Sequence, residues 1–238
     1  MFTSRLAVLG AGLMGVGIAC HFARHGHAVR LYDTDPQRLA EVPAVASAIL
    51  CELEACGQQD PADRDAVLAR LTPTPTLNAL ADATLLIEAI PERLALKHAL
   101  YAELETLIAD EAIIASNTSG LPPDQLAQGM RLPERLLIAH FWHPPHLIPL
   151  VEVVPGSATL PSSGARGERL LRRLRAGGGG AQPRRAGLCR QPAAVRPAAR
   201  SVAYRPQRHR FPGGGGPGDA RLAGPPLCDG RARWRLRT

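Results

Sequence analysis

This 238-residue sequence contains no Cys-x-x-Cys pair, no histidines spaced with cysteines for zinc, and no apolar run approaching about 18 residues. Its five cysteines, Cys20, Cys51, Cys56, Cys189 and Cys228, are scattered. A disulfide framework and a metal are therefore not expected, and buried thiols are the plain reading of Cys20 and Cys51. On the same ground no membrane span is expected, nor a signal peptide, because the N-terminus runs almost at once into the strand pattern Leu6-Ala7-Val8-Leu9. A reducing, cytoplasmic setting is expected.

The most uneven shortage is of acidic residues. Residues 1–175 hold 15 basic and 19 acidic side chains, whereas 176–238 hold 13 and 2, so a tail of charge +11 follows a body of −4. That tail has 12 Gly and 8 Pro in 63 residues and no Ile, Met, Lys, Glu or Asn. Such a composition cannot bury enough apolar surface to offset chain entropy, and the Arg/Gly/Pro-rich segment is expected to be disordered. Its charge suits nucleic-acid phosphates, but only Tyr204, Phe211 and Trp234 are available for stacking and no repeat occurs, so a nucleic-acid-binding module is the weaker reading.

The body is patterned throughout. Apolar runs at 6–9, 28–32, 84–87, 112–115, 136–139 and 150–154 alternate with helix-length segments, of which 36–53 and 91–108 have amphipathic spacing and 60–71 reads as a shorter helix. The alternation predicts an α/β fold, a Rossmann-type doubly wound parallel sheet with helices on both faces.

Gly10-Ala11-Gly12-Leu13-Met14-Gly15 directly follows the first strand and opens a helix. Gly10 permits the tight turn, Gly12 lets the backbone approach a pyrophosphate, and Gly15 allows close helix–strand packing. The helix N-terminus then offers N–H groups to phosphate. Asp33 ends the second strand, where a carboxylate accepts from ribose hydroxyls and repels a 2′-phosphate; Thr34 and Asp35 add no positive charge. NAD rather than NADP is the expected cofactor.

His140 ends a strand, at the sheet edge where such folds bind ligands, and Glu152 follows in the next strand. A histidine can take the proton of a secondary alcohol, and a carboxylate fixes its tautomer. Asn117 and Ser119 lie in Ser116-Asn117-Thr118-Ser119-Gly120, a strand-end loop able to hydrogen-bond a substrate oxygen. With Glu92 and Lys97 in the 91–97 segment and the run His140-Phe141-Trp142-His143-Pro144-Pro145, these motifs resemble the 3-hydroxyacyl-CoA dehydrogenase family over residues 5 to 156. The resemblance implies catalytic roles for His140, Glu152 and Ser119, and cofactor contacts from Glu92, Lys97 and Asn117. His143 stands where the family usually has Asn, and 143–149 looks more like the branch with L-gulonate and carnitine dehydrogenases, so the expected substrate is a 3-hydroxyacyl-CoA or a related 3-hydroxy acid.

That family adds a helical C-terminal domain that completes the active site and forms a homodimer. Nothing resembling it follows here as written. Read one base out of frame, with permitted synonymous codons, 184–201 yields the family's signature for the start of that domain, including its active-site Asn. The expected organisation is thus an NAD-binding domain at 1–156, a residual helix or linker at 157–175, and a frameshifted remnant at 176–238. Catalysis is expected to be impaired and the dimer lost. The alternatives are an NAD-binding remnant without catalysis or the nucleic-acid module.

Overall fold

The computed structural model describes residues 5–148, 150–176 and 188–190. Elements follow in the order β1 (Leu6–Leu9), α1 (Leu13–Arg24), β2 (Val29–Tyr32), α2 (Pro36–Ala55), a 3-10 turn (Pro61–Asp63), α3 (Arg64–Leu68) and β3 (Leu71–Thr74). Then come β4 (Leu85–Glu88), α4 (Leu94–Leu104), β5 (Ile113–Ser116), α5 (Pro123–Leu126), β6 (Leu136–Phe141), β7 (Val151–Pro155), α6 (Pro161–Ala176) and β8 (Leu188–Arg190). The sheet runs β3-β2-β1-β4-β5-β6-β7-β8, so the strand order reverses between β1 and β4.

Successive residues of a strand point to opposite faces, and here both faces are apolar. Leu6 and Val8 of β1 join the core on the α1–α2 side, with Leu31, Ile87, Ile113 and Phe141. Ala7 and Leu9 join the opposite core with Leu86, Tyr101, Leu104 and Ile114. Each fully buried leucine contributes about 2 kcal/mol relative to exposure, so losing either layer would unfold the sheet. Asp35 caps α2 by accepting from the Gln37 N–H at 2.9 Å, with Pro36 at the first helical position, where its missing N–H costs nothing.

The structure departs from the sequence reading in four places. The 60–71 segment is not one helix: α3 stops at Leu68, and Leu71–Thr74 is a strand. Pro73 is tolerated there because β3 is outermost and pairs only with β2. The helix expected from 91 begins only at Leu94, because Glu92 is drawn to the loop after β5, and its regular part ends at Leu104. The sheet is not wholly parallel, since β7 is antiparallel to β6. The nine residues between them are too few for a parallel crossover. Finally, β8 pairs parallel to β7 within the segment expected to lack structure, of which the remainder lies outside the described residues. The 157–175 segment contains most of α6, whose Leu171 and Leu174 are buried in the α1-side core.

Among the described residues no helix is long and apolar enough to cross a membrane. Cys20 is buried, which pushes its thiol up to about 12, whereas Cys51 is only half-buried.

Candidate active site

The glycine loop lies at the strand-order reversal, between β1 and α1. Gly10 has φ +103°, and a Cβ there would stand 2.7 Å from the Ala89 carbonyl oxygen, so both conformation and space demand glycine. A Cβ on Gly15 would lie 1.7 Å from the Gly10 oxygen. Gly12, by contrast, faces open space: nothing lies within 4 Å of where its Cβ would be. Gly12 is the N-cap of α1 and provides no side-chain cap, which leaves first-turn N–H groups available for an anion. Leu13 is exposed beside it, Met14 half-buried and Ala11 buried.

Asp33 sits just past β2, buried, and its two oxygens accept from the Ala11 N–H at 2.7 Å and the Asp35 N–H at 2.9 Å. It therefore ties the glycine loop to the end of β2. The Arg38 guanidinium stands 3.8 Å from it, a positive charge from the first turn of α2 that reading Thr34 and Asp35 alone had missed; Arg38 also lies 3.5 Å from Asp35. Two carboxylates against one guanidinium keep this corner net negative, unsuited to a 2′-phosphate. An open cradle over Gly12, uncapped N–H groups and a ribose-type acceptor at the end of β2 together fit a dinucleotide.

On the other side of the reversal, antiparallel pairing sets His140 of β6 directly opposite Glu152 of β7. Their side chains meet at 2.9 Å, His140 Nδ1 to Glu152 Oε2, and are 26% and 22% exposed, buried enough to be held and open enough to meet a substrate. The exposed Trp142 packs its ring 6.0 Å from that of His140, and His143 beside it is exposed as well. Asn117 binds the same strand: its Oδ1 accepts from the Phe141 N–H at 2.8 Å.

Glu92 gathers the loop after β5. Its Oε1 accepts from the Thr118 hydroxyl and from the N–H groups of Ser119 at 3.1 Å and Gly120 at 2.9 Å. The Thr118 hydroxyl bond, followed by the two backbone donors, holds its carboxyl below the usual carboxylate range. Lys97 is engaged elsewhere. It is fully buried, its Nζ 2.5 Å from Glu88 Oε1, and its charge reaches Glu92 only at longer range. Sequence reasoning overlooked Glu88, although an acid ending the apolar run Leu85-Leu86-Ile87, nine residues before a lysine, was a usable signal. Among the described residues no group of His, Cys, Asp and Glu is arranged to hold a metal.

The model of the 3-hydroxyacyl-CoA dehydrogenase NAD-binding domain matches residues 5–176. The chain belongs to that family. NAD is accordingly its cofactor, and its sheet is of the Rossmann type. Among its relatives, L-carnitine dehydrogenase of Streptomyces griseus is 39% identical over 160 residues, covering 67% of this chain and 47% of that protein. 3-Hydroxyadipyl-CoA dehydrogenase of Escherichia coli is 38% identical over 154 residues, 65% of this chain and 32% of its own. The crystal structure of 3-hydroxybutyryl-CoA dehydrogenase from Escherichia coli superposes with a TM-score of 0.69 at 34% identity, covering 73% of this chain and 37% of that one. The chain thus spans about half or less of the length of these members of the 3-hydroxyacyl-CoA dehydrogenase family.

Proposed function

We propose that this domain serves the NAD-dependent oxidation of a 3-hydroxy group, on an acyl-CoA or a related 3-hydroxy acid, to the 3-oxo compound. The observation that carries the proposal is the 2.9 Å contact between His140 and Glu152 at the carboxyl edge of the sheet, across the strand-order reversal from the glycine loop. With Nδ1 turned to the carboxylate, Nε2 is the base: it takes the hydroxyl proton while the carbinol C–H bond breaks and the C=O bond forms. Bound NAD supplies the hydride acceptor. Glu152 stabilises the imidazolium produced, and the reacting oxygen is assigned to Ser119, whose N–H is held by Glu92. Gly10, Ala11, Gly12, Leu13, Met14, Gly15 and Asp33 hold the dinucleotide, with Asn117 on the nicotinamide side; Lys97, buried against Glu88, supports the site from behind rather than by contact.

We infer further that 1–156 forms the cofactor-binding domain, and that the segment from 176 is an out-of-frame reading of second-domain coding sequence. Its Arg/Gly/Pro-rich composition and its recodable 184–201 stretch support this. On this reading the polypeptide is cytoplasmic, retains NAD binding, loses the family's homodimer and turns over slowly. NADH titration, together with assays on 3-hydroxybutyryl-CoA, L-carnitine and L-gulonate, tests the activity; absence of NADH binding would refute it. Resequencing the gene around codons 170–180 tests the frame, and an intact reading as written would remove the frameshift.

A further inference from the structure

Glu88 is wholly buried, yet its carboxylate collects four donors from three elements. Oε1 accepts from Lys97 Nζ at 2.5 Å on α4 and from the Ile90 N–H at 2.9 Å in the turn after β4. Oε2 accepts from the Tyr101 hydroxyl at 2.7 Å on α4 and the Ser116 hydroxyl at 2.6 Å on β5. Burial, with the Glu88 charge adding to it, pushes the Tyr101 hydroxyl well above its ordinary value, so it stays a donor. Lys97 is the only lysine in a chain with 28 Lys and Arg, and it stands where no solvent reaches.

Stability alone gives little reason for such a pair. Burying two charges forfeits their hydration, and apolar side chains of the same volume join a helix to a sheet at least as well. What the pair does is geometric. The turn that Glu88 holds through Ile90 carries the Ala89 oxygen that closes over Gly10, and the Ala89 N–H donates to Leu9 at the end of β1. The Glu88 main-chain oxygen accepts from the Asn117 N–H at 2.7 Å, and Asn117 in turn grips Phe141 beside His140. One residue therefore touches the glycine loop's ceiling, the cation of α4 and the strand ends leading to the dyad.

We propose that Glu88 is a positioning residue of the cofactor site, fixing Lys97 and the 89–91 turn against the glycine loop in register with Asn117 and β6. This rests on the dehydrogenase reading above. The test uses the full chain, with NADH as the probe. Because the chain has one lysine, protein grown with lysine 13C-labelled at the ε carbon gives a single lysine resonance, a direct report on Lys97. NADH is expected to shift that signal in the parent. In Glu88→Gln, which keeps the volume and one acceptor, NADH affinity is expected to fall at least tenfold and the NADH-induced shift to be lost, with far-UV circular dichroism unchanged. A folded Glu88→Gln that binds NADH within twofold of the parent and shows the same lysine shift overturns the proposal, whatever its melting temperature, because the role would then be purely structural. Should Glu88→Gln not fold, Ser116→Ala and Tyr101→Phe each remove one donor; at least a threefold loss of affinity in either supports the proposal, and no change in both overturns it. A parent that fails to bind NADH sinks the dehydrogenase reading itself, whereas a binding parent with indifferent variants sinks only this one.

Discussion

The two halves of the site are made of different material. On the β1–β2 side the cofactor edge is almost all backbone: Gly10 and Gly15 admit no Cβ, Gly12 presents empty space, and Asp33 spends both oxygens on main-chain N–H groups. On the β6–β7 side the contacts are made by side chains, His140 to Glu152 and Asn117 to the Phe141 N–H of β6. A backbone-built surface fails when atoms are added, and a side-chain-built one fails when atoms are removed.

The largest break should come from adding one. Gly15→Val places carbon against the Gly10 carbonyl and is expected to cost about 3 kcal/mol or more, with NADH binding lost; thermal unfolding and an NADH titration check both. A variant that melted like the parent would show that the loop is softer than its contacts imply.

Removing an atom group on the other side should separate the functions. His140→Asn is expected to lower turnover by about 10²- to 10⁴-fold, the usual scale of a lost general base, with NADH affinity within twofold. A parallel loss of NADH affinity would mean that the halves are not separable. Asp33→Ala is the intermediate case, a side chain serving the backbone-built half. It removes the acceptor of two N–H groups and one of two negative charges beside Arg38, so the preference for NADH over NADPH is expected to narrow about tenfold, roughly 1.4 kcal/mol, in competitive titrations.

The smallest effect should be the pH dependence of stability. Burial lowers His146 and His27 from 6.5, so the folded state favours their neutral forms. Their contribution is complete above the unfolded value near 6.5 and is lost as pH falls toward the lower folded values. The melting temperature is expected to hold from pH 8 to 7 and to decline between about pH 6.5 and 5, above the range in which Glu92 is protonated. Paired His27→Asn and His146→Asn substitutions should flatten that decline, and an unchanged slope would assign it to other groups.

Much of this was legible in the sequence because it depends on short-range rules. A glycine pattern between an apolar strand and a helix needs only local geometry to be recognised, and so does the acid at the end of β2. The apolar runs between turn signals marked six of the eight described strands, β1, β2 and β4 to β7, to within a residue or two. Less legible was β3, because its Thr-Pro-Thr run looks like a turn until its place at the sheet edge is known. The different settings of Glu92 and Lys97 were also illegible, because the helix expected over 91–108 would carry both, whereas Glu92 lies before α4 begins.

The sequence by itself determined the fold class and the glycine loop between β1 and α1, since apolar runs and turn chemistry act within a few residues of the chain, while the family resemblance named His140 and Glu152. Only the tertiary structure decided that β7 runs antiparallel to β6, which is what sets Glu152 opposite His140, and that the one lysine goes to Glu88 rather than to water or Glu92. Both outcomes depend on which strand ends come together, and no local pattern encodes the satisfaction of a buried charge by partners up to 28 residues away.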